Sequence, residues 1–121
     1  MTSSEPENRP LDFDELTDRC LGRLDLVDRV LERFHDSVDD ELAHLEEALL
    51  RANADEIASH AHRIKGTSKT LAAHRLQECA ERLEASATAG QLEGMEESIK
   101  DMKHEYARIA EAISNHKSRA T

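Results

Sequence analysis

The sequence predicts an all-α protein, an antiparallel four-helix bundle with one or two additional helices at its N-terminus. Aromatic residues make up 2% of the chain and Trp is absent. A core must therefore be assembled from Leu, Ile, Val, Met and Ala, which suits packed helices better than a sheet. Four Gly and two Pro supply few turn signals, so the elements should be long. Apolar residues recur at alternating steps of three and four, the repeat of one helix face.

The elements follow in order. Residues 1–10 lack apolar content and carry both prolines, so they read as a disordered tail. Leu11 to Cys20 is a short helix with Phe13, Leu16 and Cys20 on one side, interrupted at Gly22. A second helix holds Leu26, Val27, Val30, Leu31 and Phe34, and a third holds Val38, Leu42, Leu45 and Leu49. No Pro or Gly separates these two, so one bent helix is the alternative. Asn53 followed by Asp55 and Glu56 marks the start of a fourth helix that runs to about Leu71. A fifth carries Leu76, Cys79, Ala80, Leu83 and Ala87, with Gly90 as its stop. The sixth has the clearest seam: Leu92, Met95, Ile99, Met102, Tyr106, Ile109 and Ile113. Residues 115–121 read as a second disordered tail, which leaves 11–114 as one domain.

Composition narrows the function. A net charge of -10 argues against nucleic-acid binding and against anionic membranes. No run of apolar residues is long enough to span a bilayer, and the polar, acidic N-terminus is unlike a signal peptide. Two cysteines in a helical chain without an export signal suggest reduced thiols and a cytoplasmic location. A starting Met and polar ends favour a standalone chain over a domain cut from a larger kinase, and a monomer is expected.

The fourth helix holds the distinctive segment. Ile57, Ala61, Ile64, Ser68 and Leu71 fall on one face, which must point inward. His62 lies roughly 140° from the centre of that stripe and should meet solvent, whereas His60 lies about 60° from it. Lys65 and Lys69 follow His62 along the exposed side, and Gly66 sits beside it at i+4. A mid-helix Gly costs about 1 kcal/mol relative to Ala, so something other than helix stability favours it. A bare backbone beside an exposed imidazole admits another protein, and two lysines can hold an anion near the ring. Imidazole is nucleophilic near neutral pH without a base. The combination suits a phosphoryl group that arrives from a partner and leaves to one.

The run from His62 through Arg63, Ile64, Lys65, Gly66, Thr67 and Ser68 to Lys69 resembles the His-x-Ile/Leu-Lys-Gly-x-Ser/Ala signature of histidine-containing phosphotransfer (HPt) domains. The similarity extends over roughly residues 11–113. It implies a four-helix bundle that carries a phosphoryl group on His62 between receiver-domain aspartates, or from a histidine kinase, in two-component signalling. It also implies that Lys65 lies near the phosphoryl oxygens, that Gly66 gives a partner access and that Glu84 hydrogen-bonds the imidazole; Lys69 and Arg63 on the same helix are expected to join Gly66 in the binding surface. Where many family members have Gly, this chain has Ala72, which would let the helix run further.

The plainer readings are a helical module that binds receivers without phosphotransfer, or a structural adaptor. His62 opposes the first and Gly66 the second. His35, His44, His74, His104 and His116 read as ordinary surface residues. His60 and His62 diverge on a helix and no acid or Cys cluster completes a shell, so no metal is expected. No nucleotide loop or catalytic triad is visible, so no ATP site and no cofactor are expected.

Overall fold

The computed structural model describes residues 9–120, with side chains through His116; the expected N-terminal tail lies almost wholly outside the described residues. Five helices follow one another: α1 (Phe13–Arg19), α2 (Leu24–Leu50), α3 (Ala54–Leu71), α4 (His74–Thr88) and α5 (Met95–Ala120). The last four form the bundle. Short connections at 51–53 and 72–73 return the chain, so α3 packs on both α2 and α4, and α5 closes the ring against α4 and α2. No helix among the described residues is long and apolar enough to cross a membrane.

The second and third expected helices are one. Val27, Leu31, Phe34, Val38, Leu42, Leu45 and Ala48 form one unbroken buried stripe along α2, and no Pro or Gly interrupts it. The sixth segment begins at Met95 rather than Leu92. Gly94 takes a positive φ of 84° immediately before it, and Leu92 is 39% exposed in the connection. Its helical backbone then continues to Ala120, past the expected boundary at 114.

The seam of α5 also differs at one step. Met95, Ile99, Met102, Ile109 and Ile113 are buried, but Tyr106 is half-buried and Glu105 is buried beside it. Arg75 Nε, at 3.3 Å, and Arg108 Nη1, at 2.9 Å, bond the Glu105 carboxylate and compensate its desolvation. Cys20 and Cys79 are buried free thiols, and burial raises the pKa of Cys79.

Helix α1 straps the α3–α4 end of the bundle. Asp12 caps it by accepting from the Glu15 N–H, and the Asp12 N–H donates to the Ala72 carbonyl at 3.0 Å. Arg19 donates to the Lys69 and Thr70 carbonyls at the C-terminus of α3. His74, at the start of α4, lies 2.8 Å from Glu15.

Ala72 corrects the expectation that α3 runs on. It ends the helix in the left-handed conformation, φ 65°, and its N–H bonds back to the Lys69 carbonyl. Alanine thus occupies a glycine-type position without changing the turn. Ala52, φ 53°, does the same after α2 but is exposed. Left-handed backbone costs a non-Gly residue about 1–2 kcal/mol, offset in part by the greater chain entropy of Gly. Ala52→Gly should therefore stabilise the fold by about 0.5–1 kcal/mol, read as a rise in thermal midpoint, and an unchanged or lowered midpoint would refute the strain. At Ala72 the same change would remove a buried methyl, worth about 0.8 kcal/mol, so no comparable gain is expected.

Candidate functional site

The rotational setting of α3 builds the site. Ile57, Ala61, Ile64, Ser68 and Leu71 are all buried against α2 and α4. Ser68 is admitted to this face because its hydroxyl donates to the Ile64 carbonyl, 2.6 Å away within the helix. The opposite face carries His62, whose side chain is 66% exposed, near the middle of the helix.

Helix α4 supplies the partner. Glu84 Oε2 lies 3.0 Å from His62 Nδ1, and Glu84 Oε1 lies 2.9 Å from Lys65 Nζ. One carboxylate thus bridges the imidazole and the ammonium. The Lys65 hydrogen bond, followed by that of His62, holds the Glu84 carboxyl below its ordinary pKa. An ionised carboxylate can only accept, so Nδ1 carries the proton and Nε2 keeps the lone pair. Among the described residues, His62 Nε2 has no protein partner.

Gly66 is exposed one turn beyond His62. A Cβ at this position would meet nothing within 4 Å, so the fold itself does not demand glycine here. Lys69 is also exposed but sits toward α1, where it borders a shallow groove with Arg19, Cys20 and Val30. Arg63 turns to the other side of α3, 3.9 Å from Glu41 of α2 and 3.4 Å from His60 Nδ1. The sequence-derived residues therefore divide. His62, Lys65 and Glu84 are in contact, Gly66 adjoins them, and Lys69 and Arg63 point elsewhere.

Several histidines are less ordinary than the sequence suggests. His35 bonds Tyr106 at 2.7 Å, and His116 stacks on Phe13. His44 and Glu41 converge on His60 from α2. This group was not expected from the sequence. The available signal was the Glu41-x-x-His44 spacing, which puts both side chains on one helix face toward whatever packs there.

The bundle thus presents an exposed, carboxylate-held imidazole, His62, near the middle of α3. The Hpt domain family model matches residues 29–112, and the chain belongs to that family. A crystal structure of histidine-containing phosphotransfer protein B (HptB) from Pseudomonas aeruginosa is similar, with a TM-score of 0.85 and 26% sequence identity. The match covers 91% of this chain and 96% of that one. A comparison with curated proteins finds no match. The protein is accordingly a phosphorelay carrier of two-component signalling, without an ATP site of its own.

The lowered Glu84 pKa sets a pH dependence. Such a carboxyl contributes stability above its unfolded pKa and loses it as pH falls through the lower folded value. The Glu84 carboxyl carbon, followed by NMR, should titrate below the ordinary Glu value of about 4.3. Lys65→Ala should move the midpoint upward, because the largest lowering contact is then gone. A midpoint unmoved by that substitution would mean that the bridge does not form in solution.

Proposed function

We propose that His62 is the residue of this carrier that accepts and releases the phosphoryl group, with Glu84 holding its tautomer. The supporting observation is the exposed imidazole with Nδ1 bonded to Glu84 and Nε2 unpartnered. The Nε2 lone pair attacks the phosphorus of a receiver's aspartyl phosphate. The Nε2–P bond forms as the P–O bond to the aspartate breaks, and the aspartate leaves with the bonding electrons. The Nδ1 proton stays in place, and the charge gained by the ring faces the Glu84 carboxylate. Return to a second receiver reverses these changes. The loose transition state leaves little covalent work to the carrier, so positioning and charge dominate.

Lys65 is 30% exposed and has a flexible stem, so its ammonium can turn from Glu84 toward the phosphoryl oxygens. Gly66 leaves space for the partner's loops, and Lys69 and Arg63 lie at opposite margins of the docking surface. The partners are receiver domains or a sensor histidine kinase. The net charge of -10 disfavours nucleic acid, the two free thiols fit a cytoplasmic protein, and one bundle suffices for the chemistry, so a monomer is proposed.

Transfer of label from a phosphorylated receiver domain tests this reading. His62→Gln should abolish acid-labile labelling and leave thermal unfolding nearly unchanged, since exposed side chains contribute little to packing. Labelling at the wild-type rate would assign the phosphoryl group to another residue. Gly66→Gln should slow transfer strongly while stability holds or rises by up to about 1 kcal/mol, because the helix gains propensity and no neighbour is in the way. Normal transfer with glutamine at position 66 would show that the partner approaches from elsewhere.

A further inference from the structure

The face of α3 turned away from Glu84 carries a second constellation. We propose that Glu41 and His44 of α2 and His60 of α3 form a binding site for a divalent transition-metal ion of the zinc type, separate from the phosphotransfer surface.

Three observations converge. One ligand atom from each residue lies within 4.8 Å of those of the other two. The His44 and His60 rings are stacked, with centroids 5.1 Å apart and planes inclined by 19°. Glu41 and His60 are hydrogen-bonded and largely shielded, with side chains 17% and 13% exposed. A simple Glu–His pair explains Glu41 and His60 but gives His44 no reason to join them. Two imidazoles and a carboxylate are a zinc-type donor set that leaves a fourth position for water. The Glu-x-x-His spacing is the one by which helical bundles bring a carboxylate and an imidazole to a single ion.

The geometry needs only a small adjustment. Ligand atoms around a tetrahedral zinc stand about 3.3 Å apart. The exposed His44 is free to close the remaining distance. Arg63 is an opposing charge, with Nη1 3.4 Å from His60 Nδ1 and 3.9 Å from Glu41, and its side chain is 59% exposed. Its guanidinium can move into water as the cation enters. The other His-containing acidic group, Asp12, Glu15 and His74, is already committed. Asp12 caps α1 and Glu15 is paired with Arg19.

His60 and His62 are separated by about 200° around the helix, so the ion would sit on the α2 side and the phosphoryl group on the α4 side. The two assignments can therefore fail independently. The test titrates the full chain with Zn²⁺ by calorimetry and with Co²⁺ by its visible absorption. One ion per chain is expected, with a Co²⁺ spectrum of low coordination number. His44→Ala, Glu41→Gln and His60→Gln should each weaken binding by about tenfold or more. His62→Gln and His74→Ala should bind as the wild type does. His44 is exposed, so His44→Ala keeps the test decisive if His60→Gln disturbs the fold. No binding by the wild type, or wild-type affinity in His44→Ala, would overturn the proposal. So would loss of binding in His62→Gln or His74→Ala.

Discussion

Everything specific about this molecule depends on the angle at which α3 is rotated in the bundle. Ile57, Ile64 and Leu71 are each essentially sealed from solvent. Burying such a side chain is worth about 2 kcal/mol, so a turn of α3 that exposed all three would cost on the order of 6 kcal/mol. That is comparable with the whole stability of a small domain. The apolar face therefore fixes where the polar residues go. His62 must meet α4 at Glu84, and His60 must meet α2 at Glu41. Ala61 and Ser68 on α3 and Ala80 and Ala87 on α4 are small buried residues on two helices that pack together, and small residues permit the close approach across which Glu84 reaches His62.

That constraint is also why the fourth helical segment was legible in the sequence. The three-and-four spacing from Ile57 to Leu71 is enough to give the phase of His62, and the Lys65–Gly66 pair beside it points to the chemistry proposed for it. The misreadings occur where local pattern is silent. Nothing between Phe34 and Val38 in the sequence distinguishes a bend from a continuing helix, whereas in the structure the buried stripe of α2 runs through it unbroken. At Ala72 an alanine where many family members have Gly pointed to a longer helix, but the strap to Asp12 and the packing of α4 hold the chain in a left-handed turn. In α5 the step of four to Tyr106 concealed the step of three to Glu105. A buried carboxylate is visible only when Arg75 and Arg108 are seen beside it.

Side-chain reach accounts for the remainder. Lys69 was grouped with His62 for its place along the same exposed side of the helix, and Arg63 was assigned to the same binding surface. Long side chains follow the nearest opposite charge or open groove, and the ones here lead Arg63 to Glu41 and Lys69 toward α1. Contacts between residues far apart in sequence, such as Glu41 with His60, leave at most a partial local signature, here the Glu41-x-x-His44 spacing on α2. The consequence for α3 is two unlike faces on one helix: a bare imidazole over α4, and a ring-and-carboxylate cluster over α2.

The carboxylate shared by His62 and Lys65 bears on how firmly a carrier grips its cargo. Glu84 and Lys65 neutralise each other in the resting protein. A phosphoryl group on His62, as proposed, would add close to two negative charges beside a carboxylate already present, with the Lys65 ammonium and the positive charge gained by the ring to answer them. Such a site is under-neutralised, and the chain as a whole carries a net charge of -10. A phosphohistidine held there is electrostatically restless: its group-transfer potential stays high, and departure to a receiver relieves repulsion. A second basic residue beside the ring would deepen the well and turn a relay into a store.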